Sequence, residues 1–281
     1  MVRPNLTACN SLFDRNLPSS QVQGSPEATL VPGKDSLLES VPVLNFPVCV
    51  ASPEEVEETA RRWLCERRGR MIVTINPEIV LQARRDSGLC RGIEQAALVI
   101  PDGFGIVWAV RRLHRLPLKR QPGIELAASL LKECAARKQP AFFVGGKNGV
   151  AADAARYWQK QYPSLQVTGT APGYLTPIEE ESLLSRIQLE KPALLLVGMG
   201  AGKQEQLISR LPLCSFGVAV GIGGAMEVWA GVKRRAPAWM RSASLEWAYR
   251  LAAEPRRLGR LCQALPFFGM VWWKSLRRSA F

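Results

Sequence analysis

A chain of 281 residues, 47% of them hydrophobic, is long enough to bury a sizeable core. Its formal net charge of +13 asks for an anionic partner: a phosphate, a nucleic acid or an anionic membrane surface. Seven dispersed cysteines with no CxxC pair, and a single histidine, argue against a disulfide framework and a multi-histidine metal centre, and fit a reducing cytoplasm.

Residues 1–43 are rich in Ser, Pro, Asn and Gly and lack periodicity, which predicts a disordered extension. The opening "MVRPNLTACNSLFDRN" has polar breaks where a signal peptide needs an apolar stretch. "VLNFPVCV" reads as a strand. Ser52 then caps a helix, "PEEVEETARRWLCERR", with Pro53 at its first position. "RMIVTIN" reads as a strand, "PEIVLQARRDSGLCRGIEQ" as a helix broken at Gly88, and "AALVIPD" as a strand ending in Asp102. "FGIVWAVRRLHR" and "GIELAASLLKECAARK" are helical, with His114 read as a surface residue of the first. "PAFFVGG", "LQVTGT", "PALLLVGMG" and "FGVAVGIGG" are further strands, with helices between several of them.

These strands are continuous apolar blocks rather than polar/apolar alternations. That pattern belongs to strands covered on both faces, so the expected fold is α/β: a Rossmann-like, mainly parallel sheet with helices on both sides. Several strands end in small or polar residues: Thr74 and Asn76, Asp102, Gly145 and Gly146, Gly198 and Gly200, Gly223 and Gly224. In a parallel sheet these ends share one edge, and one ligand could touch them all.

From Ala236 the composition changes. Eleven lysines and arginines against two glutamates fall between Val232 and Phe281, interleaved with Trp239, Trp247, Tyr249, Phe267, Phe268, Trp272, Trp273 and Phe281. Residues 236–281 are expected to form a helical appendage that settles on a membrane interface, packs its aromatics on the core, or does both. Its removal is expected to leave a folded sheet domain. No apolar run approaches the roughly 18–20 residues that cross a bilayer.

"GMGAGKQE" (198–205) is neither a P-loop nor a full dinucleotide fingerprint: Val197 stands where the first P-loop glycine belongs, Gln204 where Ser or Thr would hold magnesium, and Lys203 where the third fingerprint glycine belongs. What remains is a loop whose backbone amides can approach a phosphate, followed by a helix. Gln204 adds a side chain able to bond hydroxyls or a diphosphate. In "GIGGAMEVWAG" (221–231), Glu227 either grips sugar hydroxyls or points to solvent in the first turn of a helix. No Asp-x-Asp pair is present to hold a diphosphate through a metal. Arginine can do that work instead.

"TINPEIV", "VIPDGFGIVWAVR", "KRQPGIEL", "VGGKNGV", "PGYL", "LLVGMGAGKQE", "GIGGAMEVWAG", "RRAPAWM" and "LEWAYRLAAEPRRLGR" follow in this order. Together they resemble the WecG/TagA/CpsF glycosyltransferases, from about residue 44 to 262. The resemblance implies a glycosyltransferase domain over 44–235 and an inverting, metal-independent reaction without a cofactor. An N-acetylmannosamine-type sugar would pass from UDP to a polyprenyl-diphosphate-linked acceptor at the cytoplasmic face of the membrane. It implies Asp102 as general base, Thr74 and Asn76 in the sugar and acceptor pocket, and Gln204 as a catalytic-site residue. Tyr174 and the 221–227 loop would bind the nucleotide, with Gly198, Gly200, Gly223, Gly224 and Glu227 as contacts. Arg250, Arg256, Arg257 and Arg260 would close over the diphosphate. Met226-Glu227, Glu125 and Ala201 depart from the family's usual Phe-Asp, Asp and Pro, so the donor sugar stays unassigned. Self-association is left open. Two other classes remain as alternatives: a basic nucleic-acid-binding protein and an NAD(P)-dependent oxidoreductase.

Overall fold

The computed structural model describes residues 38–237, 239–240, 246–253 and 258–279. Six parallel strands form one sheet: β3 (Arg70–Ile75), β4 (Leu98–Pro101), β5 (Ala141–Gly145), β6 (Val167–Ala171), β7 (Leu194–Gly198) and β8 (Val218–Gly221), in the order β4-β3-β8-β7-β5-β6. Every residue of β3, β4, β5, β7 and β8 is buried, as the continuous apolar blocks require. Only the edge strand β6 is partly open.

Two apolar layers cover the sheet. Met71, Val73 and Ile75 face one layer, with α2 (Pro77–Ala83), α3 (Ser87–Glu94), α4 (Phe104–His114), α7 (Pro177–Glu190) and α8 (Lys203–Ser209). Ile72 faces the other, with α1 (Pro53–Glu66), α5 (Gly123–Ala136), α6 (Val150–Gln161) and α9 (Ala225–Trp229). The alternation along one strand is the two-residue period of the pleat. Ser52 caps α1 as expected: its Oγ accepts from the Glu55 N–H at 3.2 Å, and the Glu55 carboxylate accepts from the Ser52 N–H at 2.8 Å.

Three expectations are corrected. "VLNFPVCV" is not one strand but most of a hairpin, β1 (Ser40–Val43) and β2 (Phe46–Cys49), turned at Leu44 and Asn45, which have φ of 45° and 80°. The hairpin packs beside β4, and Val41 and Val43 are fully buried, so the folded body includes residues 40–43. The long helix after β3 breaks before Gly88: Asp86 Oδ1 accepts from the Gly88 and Leu89 N–H groups and starts α3. Gly88 lies inside the first turn.

The third concerns the tail. α10 (Glu246–Ala253) and α11 (Leu258–Ser279) follow, and α11 packs on α2 and α4. Phe267 and Val271 are fully buried in the layer that covers Met71 and Ile75, and Ser275 Oγ accepts from Arg112 Nε at 3.1 Å. These three recur every fourth residue and form one stripe. Leu265, Trp272, Trp273 and Leu276 face outward. Packing of the tail's aromatics on the core is thus present in Phe267, and removing α11 would uncover core.

Candidate active site

β3 leads through α2 and α3 to β4 on one flank, while β8 leads into α9, which packs on α6 on the other. Two neighbouring strands whose connections diverge leave a crevice at their carboxyl ends. The β3–β8 ladder ends at Ile72↔Val220. Beyond it Thr74, buried, donates its Oγ1 hydrogen to the Gly221 carbonyl at 2.9 Å, so a side chain continues the seam. The N-terminus of α5 enters here too. A Cβ at Gly123 would lie 2.7 Å from Thr74 Cγ2, so only glycine lets the helix approach.

Asn76 caps α2, its Oδ1 accepting from the Ile79 N–H at 3.0 Å, which leaves its amide hydrogens to donate. Asp102 follows β4 directly and is half-buried. Its N–H donates to the Ile75 carbonyl at 2.9 Å, extending the β3–β4 pairing and setting the residue beside Asn76. Gly103, with φ of 89°, opens α4 and has nothing near its Cα where a side chain would be. Gly105 is different: a Cβ there would sit 2.4 Å from Pro77 and 3.3 Å from Phe268, so it is a packing glycine.

Gln204 is buried, and both ends of its amide are bonded within the protein. Nε2 donates to Glu205 Oε1 at 2.7 Å, and Oε1 accepts from the Gly223 N–H at 3.0 Å. Glu205 is fully buried, and its Oε2 accepts from the Gly202 N–H at 2.7 Å. Burial pushes the Glu205 carboxyl above its ordinary 4.5, while the bonds from Gln204 and Gly202 pull the other way.

The glycine loops meet at the same edge. A Cβ on Gly198 would lie 2.6 Å from the Gly223 carbonyl oxygen, so the two loops touch backbone to backbone. Gly200 and Gly223 have φ of 89° and 50° and open space beside them, and Gly224 ends the second loop before α9. Glu227 is neither fully exposed nor fully satisfied. Lys233 Nζ lies 4.0 Å from its Oε1, and Oε2 is buried without a hydrogen-bond partner. A buried carboxylate oxygen of that kind calls for a donor such as a ligand hydroxyl.

Tyr174 stands apart from Asp102. It is exposed on the rim of an open cleft of about 490 Å³, lined also by Gly173, Met199 and Lys203. Thr74, Asn76 and Asp102 do not line that cleft. Its wall is joined to the strand tips, because Gly173 N–H donates to the Gly146 carbonyl at 2.8 Å and Gly146 N–H to the Gly198 carbonyl at 3.3 Å. Consecutive residues of α8 thus serve two places: Lys203 the cleft, Gln204 the crevice. Arg256 and Arg257 and the side chains of Arg250 and Arg260 lie outside the described residues.

Sequence reasoning missed three residues. Glu205 lay in the quoted "GAGKQE" but reads there as an ordinary first-turn glutamate. Arg120 Nη1 pairs with Glu246 Oε2 at 2.9 Å, both side chains largely buried, and joins α10 to the sheet domain. Gln121 is buried, its Nε2 donating to the Ala51 carbonyl at 2.8 Å and its N–H to the Pro101 carbonyl at 2.9 Å. Among the described residues no cluster of three or more His, Cys, Asp or Glu side chains is arranged to hold a metal ion.

A doubly covered parallel sheet with a carboxylate and glycine loops at its switch point defines an α/β enzyme that gathers ligands along one sheet edge. The sequence matches the model of the Glycosyl transferase WecG/TagA/CpsF family over residues 41–280, and the chain belongs to that family. It is a glycosyltransferase, which sets aside the oxidoreductase and the non-enzymatic nucleic-acid binder. The match reaches past Cys262, where the legible motifs stop, and takes in all of α11. The N-acetylglucosaminyldiphosphoundecaprenol N-acetyl-beta-D-mannosaminyltransferases of Staphylococcus aureus strains MRSA252 and NCTC 8325 / PS 47 are each 38% identical to it over 208 residues, 74% of this chain and 81% of theirs.

Proposed function

We propose that this glycosyltransferase moves an N-acetylmannosamine-type sugar from a UDP-sugar to a polyprenyl-diphosphate-linked acceptor, with inversion and without a divalent metal. The observation that carries the chemistry is Asp102 at the end of β4, beside Asn76 and followed by Gly103, which carries no side chain. The relatives' names supply the sugar and the acceptor type.

The acceptor hydroxyl enters beside Asp102. As its oxygen bonds to the anomeric carbon, the Asp102 carboxylate takes the hydroxyl proton. The bond from the anomeric carbon to the diphosphate oxygen breaks, and UDP leaves with the electron pair. Attack opposite the leaving group inverts the centre. A positioned base of this kind contributes roughly 10²–10⁴-fold. Negative charge grows on the diphosphate, and the backbone amides of 198–202, with Arg250, Arg256, Arg257 and Arg260 of the tail, stabilise it. The Asn76 amide donates to sugar or acceptor hydroxyls. The unpartnered Glu227 Oε2 accepts from a donor hydroxyl, and Tyr174 flanks the nucleotide.

Among the described residues no helix is long and apolar enough to cross a membrane. The outward Trp272, Trp273 and Leu276 of α11, with the exposed Phe104 at the start of α4, support peripheral contact with the bilayer that carries the acceptor. Each basic residue near an anionic surface adds about 1 kcal/mol. The test is a donor screen with UDP-sugars and a short polyprenyl-diphosphate-linked acceptor, in the presence of EDTA. Transfer of an N-acetylmannosamine-type sugar with inverted configuration is expected. Transfer only from another nucleotide's sugar, or only with added metal, would overturn the reading.

A further inference from the structure

Among the described residues Glu205 is the fully buried carboxylate at the crevice, and its two oxygens have different partners, the Gly202 N–H and the Gln204 amide. Four groups form a chain with a fixed direction. Gly202 N–H and Gln204 Nε2–H both point at Glu205, and Gly223 N–H points at Gln204 Oε1. A carboxylate only accepts, whereas an amide has one accepting and one donating end. With Glu205 ionised, the Gln204 amide has one orientation that satisfies every member: nitrogen toward Glu205, oxygen toward Gly223. The chain spans the two glycine loops that follow β7 and β8. Gly221 leaves it room, since a Cβ there would lie 2.6 Å from Gln204 Nε2.

We propose that Glu205 is a positioning residue, which sets the orientation of the Gln204 amide and thereby holds the 198–202 and 221–224 loops in the spacing that receives the donor diphosphate. The assignment of a diphosphate rests on the proposed function; the polarity of the chain does not. Glu205 touches no reacting atom and acts through Gln204 and the loop amides.

The direction of the chain supplies its test. In Glu205→Gln, the new amide must give up one acceptor. If it keeps the Gly202 N–H, its nitrogen faces Gln204, whose amide flips and turns a donor toward Gly223 N–H. In the double exchange Gln204→Glu with Glu205→Gln, the middle bond simply reverses. The amide introduced at position 205 accepts from the Gly202 N–H and donates to the carboxylate introduced at position 204. The other oxygen of that carboxylate accepts from the Gly223 N–H.

The experiment measures hydrogen exchange of the loop containing the Gly223 amide, and the affinity for UDP, in the wild type, E205Q and the Q204E/E205Q pair. The single variant is expected to lose about tenfold in both protection and UDP affinity, as for a broken buried hydrogen bond. The pair is expected to regain both. Wild-type exchange in E205Q, or a pair as damaged as the single variant, overturns the proposal. Should E205Q fail to fold, a folded pair with a protected Gly223 amide supports the proposal, and an unfolded pair overturns it. A wild type that binds no UDP removes the nucleotide reading, while the exchange data still decide the polarity of the chain.

Discussion

Arg120 and Glu246 are 126 positions apart in sequence, and their side chains meet at 2.9 Å where both are largely buried. The pair fastens α10 to the loop between α4 and α5, the loop that also bonds the end of β4 through Gln121 and Pro101. Removing one partner leaves the other charged in a site short of water. Glu246→Gln should therefore cost about 3 kcal/mol. A double-mutant cycle with Arg120→Met, read by chemical denaturation, should show strong coupling, with the double variant less damaged than the sum of the two. Additive losses would mean that the ions contribute independently.

Asp102→Asn preserves volume and removes basicity. Turnover should fall by roughly 10²–10⁴-fold while UDP-sugar affinity stays within about threefold. Single-turnover kinetics beside direct binding separate the two quantities. A variant with full turnover would remove the base from this position.

The hydroxyl of Thr74 continues the β3–β8 seam past the last backbone pair. Thr74→Val keeps the shape and leaves the Gly221 carbonyl without its donor, an expected loss of about 1–3 kcal/mol. Thr74→Ser keeps the bond and should cost less. Urea midpoints of the two variants decide whether the methyl against Gly123 or the hydroxyl against Gly221 dominates.

The Glu205 carboxyl gives a signed pH dependence. Burial raises its folded value above 4.5, so the native chain holds this proton more tightly than the unfolded chain. Its contribution to stability is fully present below the unfolded value. It is lost as pH rises through a window that opens near 4.5 and closes above the raised folded value. The stability of the wild type relative to Glu205→Gln should decline across that window and then level off. Denaturation midpoints at a series of pH values measure it, and a rise in place of the decline would contradict the burial argument.

The two faces of α11 should separate by mutation. Phe267→Ala empties a core position and should cost about 3–5 kcal/mol. Trp272→Ser with Trp273→Ser alters exposed positions, so the fold should stand while binding to anionic vesicles drops. Vesicle sedimentation and thermal unfolding of the same two proteins test both halves.

The strands were legible because burial on both faces leaves short apolar runs bounded by Gly, Pro, Asn or Asp, and the loop residues at their ends followed from the shared edge. Thr74, Asn76 and Asp102 could therefore be placed near one another before any coordinates. The turn at Leu44 and Asn45 was not legible, since neither residue is the glycine that a positive φ usually announces. The helix break was misplaced because Asp86 as a cap outweighs Gly88 as a breaker. Glu205 escaped for a deeper reason. A glutamate in the first turn of a helix looks solvated whether or not another loop closes over it, and the closing loop comes from β8. The Arg120–Glu246 pair is hidden in the same way, as a product of tertiary contact alone.

The Cα of Gly105 is pressed between Pro77 of α2 and Phe268 of α11, whose ring also meets Trp108 at 5.2 Å between centroids. The room of a single hydrogen atom thus fixes how closely the tail helix is seated, three positions along the chain from Asp102. Any side chain introduced there would act as a wedge, prising the seat open and tilting the outward indoles.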